Sequence, residues 1–240
     1  MKITIPKIFM GVPVEGAMER VLKRDAQKPE TTAIPRSSQP KEGMIYIPTA
    51  GIHFANQRTH LGKNWDETYE LLSQEGLRMP TMEEFRRTLA YFKNSNKQEL
   101  QNLYKEITEV REPWRSEWID AYFEKRKDGF YLLTSNKSKA EKLETCLMKD
   151  KIPGINLDDW LEGKNVTSQG LPDSNIKKGE LYYWHPEDGR VARFYANSGG
   201  ACLDCYWNPS DRVSVLGVFG VTDADASGKT RQNQGTGGVK

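Results

Sequence analysis

The stretch from Arg193 to Asp211, RFYANSGGACLDCYWNPSD, decides how the chain is read, because it sets four aromatic residues, two cysteines and a Gly199-Gly200 pair inside strand-forming sequence. Side chains alternate across an extended backbone, so Ala192, Phe194, Ala196 and Ser198 point one way while Arg193, Tyr195, Asn197 and Gly199 point the other. After Gly200 the small or apolar set becomes Ala201, Leu203 and Cys205, and Cys202, Asp204 and Tyr206 join the outward set with Trp207 and Asn208. A change of parity at paired glycines is what a turn or bulge produces. Further on, Ser214, Leu216 and Val218 take one face, and Val213 and Val215 the other. The first set suits packing; the second shows no common chemical character.

Three kinds of site chemistry compete for this stretch. A closed zinc site needs four ligands, yet Cys202-x-x-Cys205 has no second pair, and His53, His60 and His185 are scattered without ligand spacing. Cys146 reads as part of a helical segment. A redox dithiol belongs at a helix N-terminus, where the helix dipole lowers the thiol pKa, whereas ACLDCYW has strand character. On a strand, residues three apart face opposite ways, which predicts a buried Cys205 and an exposed Cys202 without a joint role. Elsewhere, His185 sits in the turn formula Pro-Glu-Asp-Gly, and Asp158 and Asp159 follow Asn156 as the opening of a capped helix. No phosphate loop, nucleophile elbow or His-Glu-x-x-His pair occurs. The residues therefore point away from an enzyme, and no cofactor or metal is expected.

Composition bounds the remaining possibilities. The 240 residues carry 35 Lys and Arg against 33 Asp and Glu, without the dense basic run that tracks nucleic acid. No apolar run approaches the roughly 18 residues of a membrane span, and Pro6 and Pro13 interrupt the segment where a signal peptide would be apolar. Three cysteines argue against a disulfide framework. Residues 1–43 read as an arm with one short helical pattern around EGAMERVLKR, residues 44–220 as one domain, and residues 221–240 as a loose tail. Within the domain, strands are expected in GMIYIPTAGIHFAN, split by Pro48 and Gly51. Helices are expected at 65–75, ended by Gly76, and at 81–93, where Thr81 and Glu84 make a capping box. Residues 97–127 read as charged helices broken near Pro113, their charges forming a solvated face. GFYLLTS reads as a strand, and little helix is expected after residue 180.

GLRMPTMEEF and, near the C-terminus, VARFYANSGGACLDCYWNPSDRVSVLGVFGV resemble the variable proteins of diversity-generating retroelements, including those of archaeal viruses and small-genome microbes. The resemblance implies an α+β chain of the C-type lectin fold, in its formylglycine-generating-enzyme-like variant, with two helices packed on small twisted antiparallel sheets. It also implies a display function, in which a reverse transcriptase rewrites selected codons in a variable region of about 191–218 and the scaffold stays constant. The diversified, ligand-binding positions would be Arg193, Tyr195, Asn197, Gly199, Gly200, Cys202, Asp204, Tyr206, Trp207, Asn208, Asp211, Val213 and Val215. Their partner would be a protein or glycan, on a receptor or host cell surface, with virion association among the implied locations. No triplet of the calcium-dependent sugar lectins is present. GLRMPT with Glu84 is shared with formylglycine-generating enzymes, which leaves an oxidoreductase as one alternative and a purely structural assembly domain as another. The usual Arg-Gly-Gly-Ser-Trp and Gly-Phe-Arg elements of those enzymes are replaced here by ARFYANSGG and GVFGV.

Overall fold

Two capping boxes determine where the principal helices start. Asn64 accepts a hydrogen bond from the Glu67 amide at 2.8 Å while the Glu67 carboxylate accepts from the Asn64 amide, opening α1 (Trp65–Gln74). Thr81 and Glu84 exchange the same pair of bonds at the head of α2 (Met82–Lys93). Gly76, at φ +68°, follows α1 in the left-handed conformation that ends many helices. Both helices match their expected spans.

The computed structural model describes Ile8–Phe9, Val12–Pro13 and residues 42–109, 112–149 and 152–224. The chain divides into two units, Met1–Arg36 and Ser37–Lys240. In the first, β1 (Ile8–Phe9) pairs antiparallel with β2 (Val12–Pro13). The helical pattern expected around residues 15–24 and the tail beyond residue 224 lie outside the described residues.

The second unit is mixed α+β, with few helices and mostly antiparallel strands. A three-stranded sheet contains β3 (Met44–Ile47), β4 (Ile52–Ala55) and β13 (Val221–Asp223) in the order β13-β4-β3. Strand β13 lies beyond the expected domain end at residue 220, and Arg78 ties it down through Asp223 at 2.7 Å. The larger sheet follows the order β7-β6-β5-β10-β11-β9-β8. Its members are β5 (Arg115–Arg126), β6 (Gly129–Thr134), β7 (Lys139–Lys142), β8 (Ile152–Ile155), β9 (Leu181–Trp184), β10 (Arg190–Asn197) and β11 (Gly200–Trp207). A short β12 (Leu216–Gly217) joins β5 in parallel, and β9 runs parallel to β11. Helices α3 (Gln98–Thr108) and α4 (Leu157–Glu162) complete the unit, the latter capped by Asn156 as expected.

Apolar clusters lie on both faces of the large sheet. On one, Ala192, Phe194, Leu203 and Cys205 join Phe85, Leu89 and Trp160; Phe194 stacks on Trp160 with ring centroids 6.2 Å apart. On the other, Trp118 and Val191 meet Trp65 and Leu72 of α1 together with Leu216 and Val218. Burial on both sides explains two departures from expectation in residues 97–127. Among the described residues only Gln98–Thr108 is helical, and Arg115–Arg126 is the interior strand β5, carrying Trp118 and Tyr122. Its charges form a solvated face only at its end, where Lys125 and Arg126 are exposed; Arg115, Glu117 and Asp120 are buried. Arg115 Nε donates to Glu117 at 2.9 Å, and Asp120 accepts from the Ser135 amide at 2.8 Å in a turn whose residues Ser135, Asn136 and Lys137 all have positive φ. Cys146 lies in a loop rather than a helix.

Burial raises the Glu117 carboxyl to about 7 despite Arg115 and Arg58, and raises Asp120 to about 6 despite the Ser135 amide. Both folded values exceed the unfolded ones, so the associated stability is complete at acid pH and lost as pH rises through 6 to 7. Urea unfolding should show stability falling from pH 4.5 to 7.5, by up to about 1.4 kcal/mol per group and pH unit, and Glu117→Gln should flatten the fall. A stability that rises over this interval would contradict the assignment. Phe194→Ala, which empties a site between Phe85 and Trp160, should cost about 3–5 kcal/mol in the same assay.

Candidate ligand-binding face

Strands β10 and β11 form a hairpin whose register pairs Arg193 with Asp204, Tyr195 with Cys202, and Asn197 with Gly200. Directly paired residues share a face of the sheet, so these six lie together, opposite Phe194 and Leu203. Parallel pairing of β9 adds Tyr182 beside Cys202 and Trp184 beside Asp204. A register shift between Val191 and Arg193 pairs Val191 with Trp207, turning Trp207 onto the same face. Tyr206 follows Asp204 on that side and packs on Trp184, ring centroids 4.7 Å apart.

At the centre Arg193 is enclosed. Its Nε donates to Asp204 at 3.1 Å, and its guanidinium lies 3.3 Å from the Trp207 ring centroid, 4.6 Å from Tyr195 and 5.7 Å from Trp114. Asp204 also accepts from the Tyr206 amide at 3.2 Å, and burial raises its carboxyl against the pull of Arg193. Arg193 Nη1 and Trp207 Nε1 are buried without an acceptor among the described protein groups.

The inward set is buried as expected for Ala192, Phe194, Ala196, Leu203 and Cys205, but Ser198 and Ser214 are exposed because each sits in a turn outside the ladder. The expected outward positions divide. Tyr195, Asn197 and Tyr206 are half-buried at the surface, and Gly199 is exposed. Arg193, Cys202 and Asp204 share that face yet are buried, because the surrounding rings cover them. The expectation of an exposed Cys202 is thus corrected; the Tyr195 hydroxyl is hydrogen-bonded to it. Cys202 and Cys205 do face opposite ways, and burial holds the Cys205 thiol well above its usual pKa and Cys146 at about 11. Gly200 has φ +115°, where a side chain is strained, so free variation at this position conflicts with the backbone.

Beyond the hairpin, Asn208 Nδ2 donates to Asp211 at 3.1 Å and its Oδ1 accepts from the Ser210 amide, so these two outward residues hold a turn. Val213 packs against the cluster of Trp65 and Trp118. Val215, half-buried, lines a depression of about 370 Å³ with Arg58, Trp114 and Arg115, and its carbonyl accepts from Arg58 at 2.7 Å. A second depression, of about 270 Å³, lies between Tyr182 and Tyr195 at the Gly199-Gly200 turn. Tyr182 and Trp184 were readable in LYYW, where Leu181 and Tyr183 alternate inward. Trp114 was hidden by the helical reading of its neighbours.

No protein-family model matches the chain, and no curated protein is significantly similar to it.

A buried ion pair of this kind is more costly to halve than to replace. Asp204→Ala should lower unfolding free energy by about 3–5 kcal/mol, whereas Arg193→Met with Asp204→Leu should cost clearly less. Equal losses in the single and double variants would show that the pair is not the element that holds this face.

Proposed function

We propose that the chain is a ligand-binding display protein built on a variant of the C-type lectin fold, with residues 191–218 diversified by a retroelement for recognition of a surface-borne partner. The observation that supports it most is the division of β10 and β11 into a face of small and apolar residues, buried except for the half-buried Ala201, and a face dominated by aromatic and polar ones. A scaffold of that construction tolerates exchange of surface side chains, because positions outside the core change stability by only about 0.5 kcal/mol. Tyr195, Tyr206 and Asn197 supply the rigid contact area and adaptable hydrogen bonding used by antibody loops. The burial of Arg193, Cys202 and Asp204 narrows the proposal: display rests on Tyr195, Asn197, Gly199, Tyr206 and Asn208, with the ion pair beneath as support.

The oxidoreductase reading requires two cysteines converging on one copper ion. Cys202 and Cys205 project to opposite faces of β11, and burial raises the Cys205 thiol, which makes it a poor nucleophile. A structural assembly domain predicts no systematic variation among copies of the gene.

Sequencing the gene and its surroundings in a growing population tests the proposal. The expected outcome is a neighbouring reverse transcriptase gene and a near-identical template repeat, with adenine-directed differences concentrated in the codons of Tyr195, Asn197, Tyr206 and Asn208. Variation spread evenly over Phe194, Leu203 and Cys205 would defeat it. In the purified protein, Tyr206→Ala should change unfolding free energy by no more than about 0.5 kcal/mol. Trp207→Ala should cost more, since that ring covers Arg193.

A further inference from the structure

We propose that the depression between Tyr182 and Tyr195 receives one uncharged, hydrogen-bonding side chain of a protein partner, and that Tyr182, outside the variable segment, is its constant wall. The partner's being a protein rests on the display reading above; the pocket's chemistry does not.

The depression carries no charge. Tyr182, Tyr195, Asn197 and Cys202 form its sides and the Gly199-Gly200 turn its rim, in a chain of which 28% of the residues are charged. The charges that share this face in the hairpin register, Arg193 and Asp204, neutralise each other and are buried. A charged side chain entering here would lose water without gaining a counter-ion, which costs several times more than desolvating an amide or hydroxyl. Neutral polar groups find partners: Asn197, whose Oδ1 accepts from the Gly199 amide at 2.8 Å, keeps its Nδ2 as a donor at the surface, and Ser198 adds a hydroxyl at the rim.

Size and ring placement agree. At about 270 Å³ the depression falls below the usual 300–1,000 Å³ of small-molecule sites, which suits one side chain rather than a whole cofactor. The Tyr182 ring lies against Gly200, where an added Cβ would sit 3.7 Å from its Cε2. The glycine therefore leaves that part of the ring uncovered, and its φ of +115° disfavours replacement. Tyrosine, asparagine, serine and glycine are the residues with which antibody loops recognise proteins. A glycan is the competing occupant, and the experiment separates the two.

Amide spectra of the ¹⁵N-labelled full chain should be followed during titration with N-acetyl-tyrosine amide and N-acetyl-asparagine amide. The expected result is saturable movement of the Gly199, Gly200 and Cys202 resonances at millimolar probe, as for a fragment-sized contact. N-acetyl-glutamate amide and N-acetyl-lysine amide should bind at least about fivefold more weakly, and the neutral probes should be insensitive to salt between about 0.05 and 0.5 M. Tyr182→Ala should weaken the neutral probes about fivefold or more with the rest of the spectrum retained, as for an aromatic anchor. Asn197→Asp, a surface change that places a charge in the pocket, should do the same and provides the test if Tyr182→Ala fails to fold. No saturable movement up to about 50 mM neutral probe, equal response to the charged probes, or movement with methyl glucoside alone would overturn the inference. Because the titration does not depend on codon variation, a missing template repeat would defeat the display reading without affecting this result. A silent titration would do the reverse.

Discussion

The in-register pairing of β10 with β11, from Arg193–Asp204 through Phe194–Leu203 to Ala196–Ala201, is the constraint on which the rest depends. Because side chains alternate strictly on paired strands, a one-residue slip of β10 would place Phe194 among the surface aromatics and turn Tyr195 and Asn197 into the core. The Gly199-Gly200 turn sets that register at one end, with Gly200 in a backbone region few other residues adopt. At the other end the shift near Val191 ends simple alternation and draws Trp207 over Arg193. The core and the aromatic-polar face opposite it are two consequences of one pairing.

The face proposed to bind ligand is only partly a surface. Near Val191 and Trp118 it is covered by α1 and by the segment returning to β12; near Tyr195 and Asn197 it is open. Between these ends Arg193 and Asp204 form a buried pair under three aromatic rings. Such a pair need not add stability relative to apolar residues, but it penalises arrangements that separate its charges. It holds Trp207, Tyr195 and the Tyr206 backbone in one arrangement. A display surface benefits from that, because a pre-ordered contact loses less entropy on binding.

Much of this was legible in the sequence where period and local chemistry agree. Thr81 with Glu84, Asn156 before Asp159, and the alternation of Phe194, Ala196, Leu203 and Cys205 each carry a local physical signal, and each appears in the structure as read. Strand β5 was not legible, because alternation marks a strand only when one face is wet. With Trp118 in one cluster, Ile119 and Phe123 in the other, and Glu117 and Asp120 buried, the sequence mimics a charged helix. Likewise, parity assigned Cys202 and Asp204 to the correct face but not their burial, which depends on Trp114, Tyr195 and Trp207 closing over Arg193. Direction is local; coverage is tertiary.

A substitution scan of residues 190–218, scored by protease resistance of the folded chain, addresses the central claim most directly. The account predicts intolerance at Ala192, Phe194, Ala196, Leu203 and Cys205 and at the Arg193–Asp204 pair, broad tolerance at Asn197, Gly199 and Tyr206, and an intermediate response at Tyr195, which covers Arg193, and at Asn208, which holds a turn. Uniform intolerance along both strands, or tolerance at Phe194 and Leu203 with loss at Asn197 and Tyr206, would contradict the division of faces on which the proposed function stands.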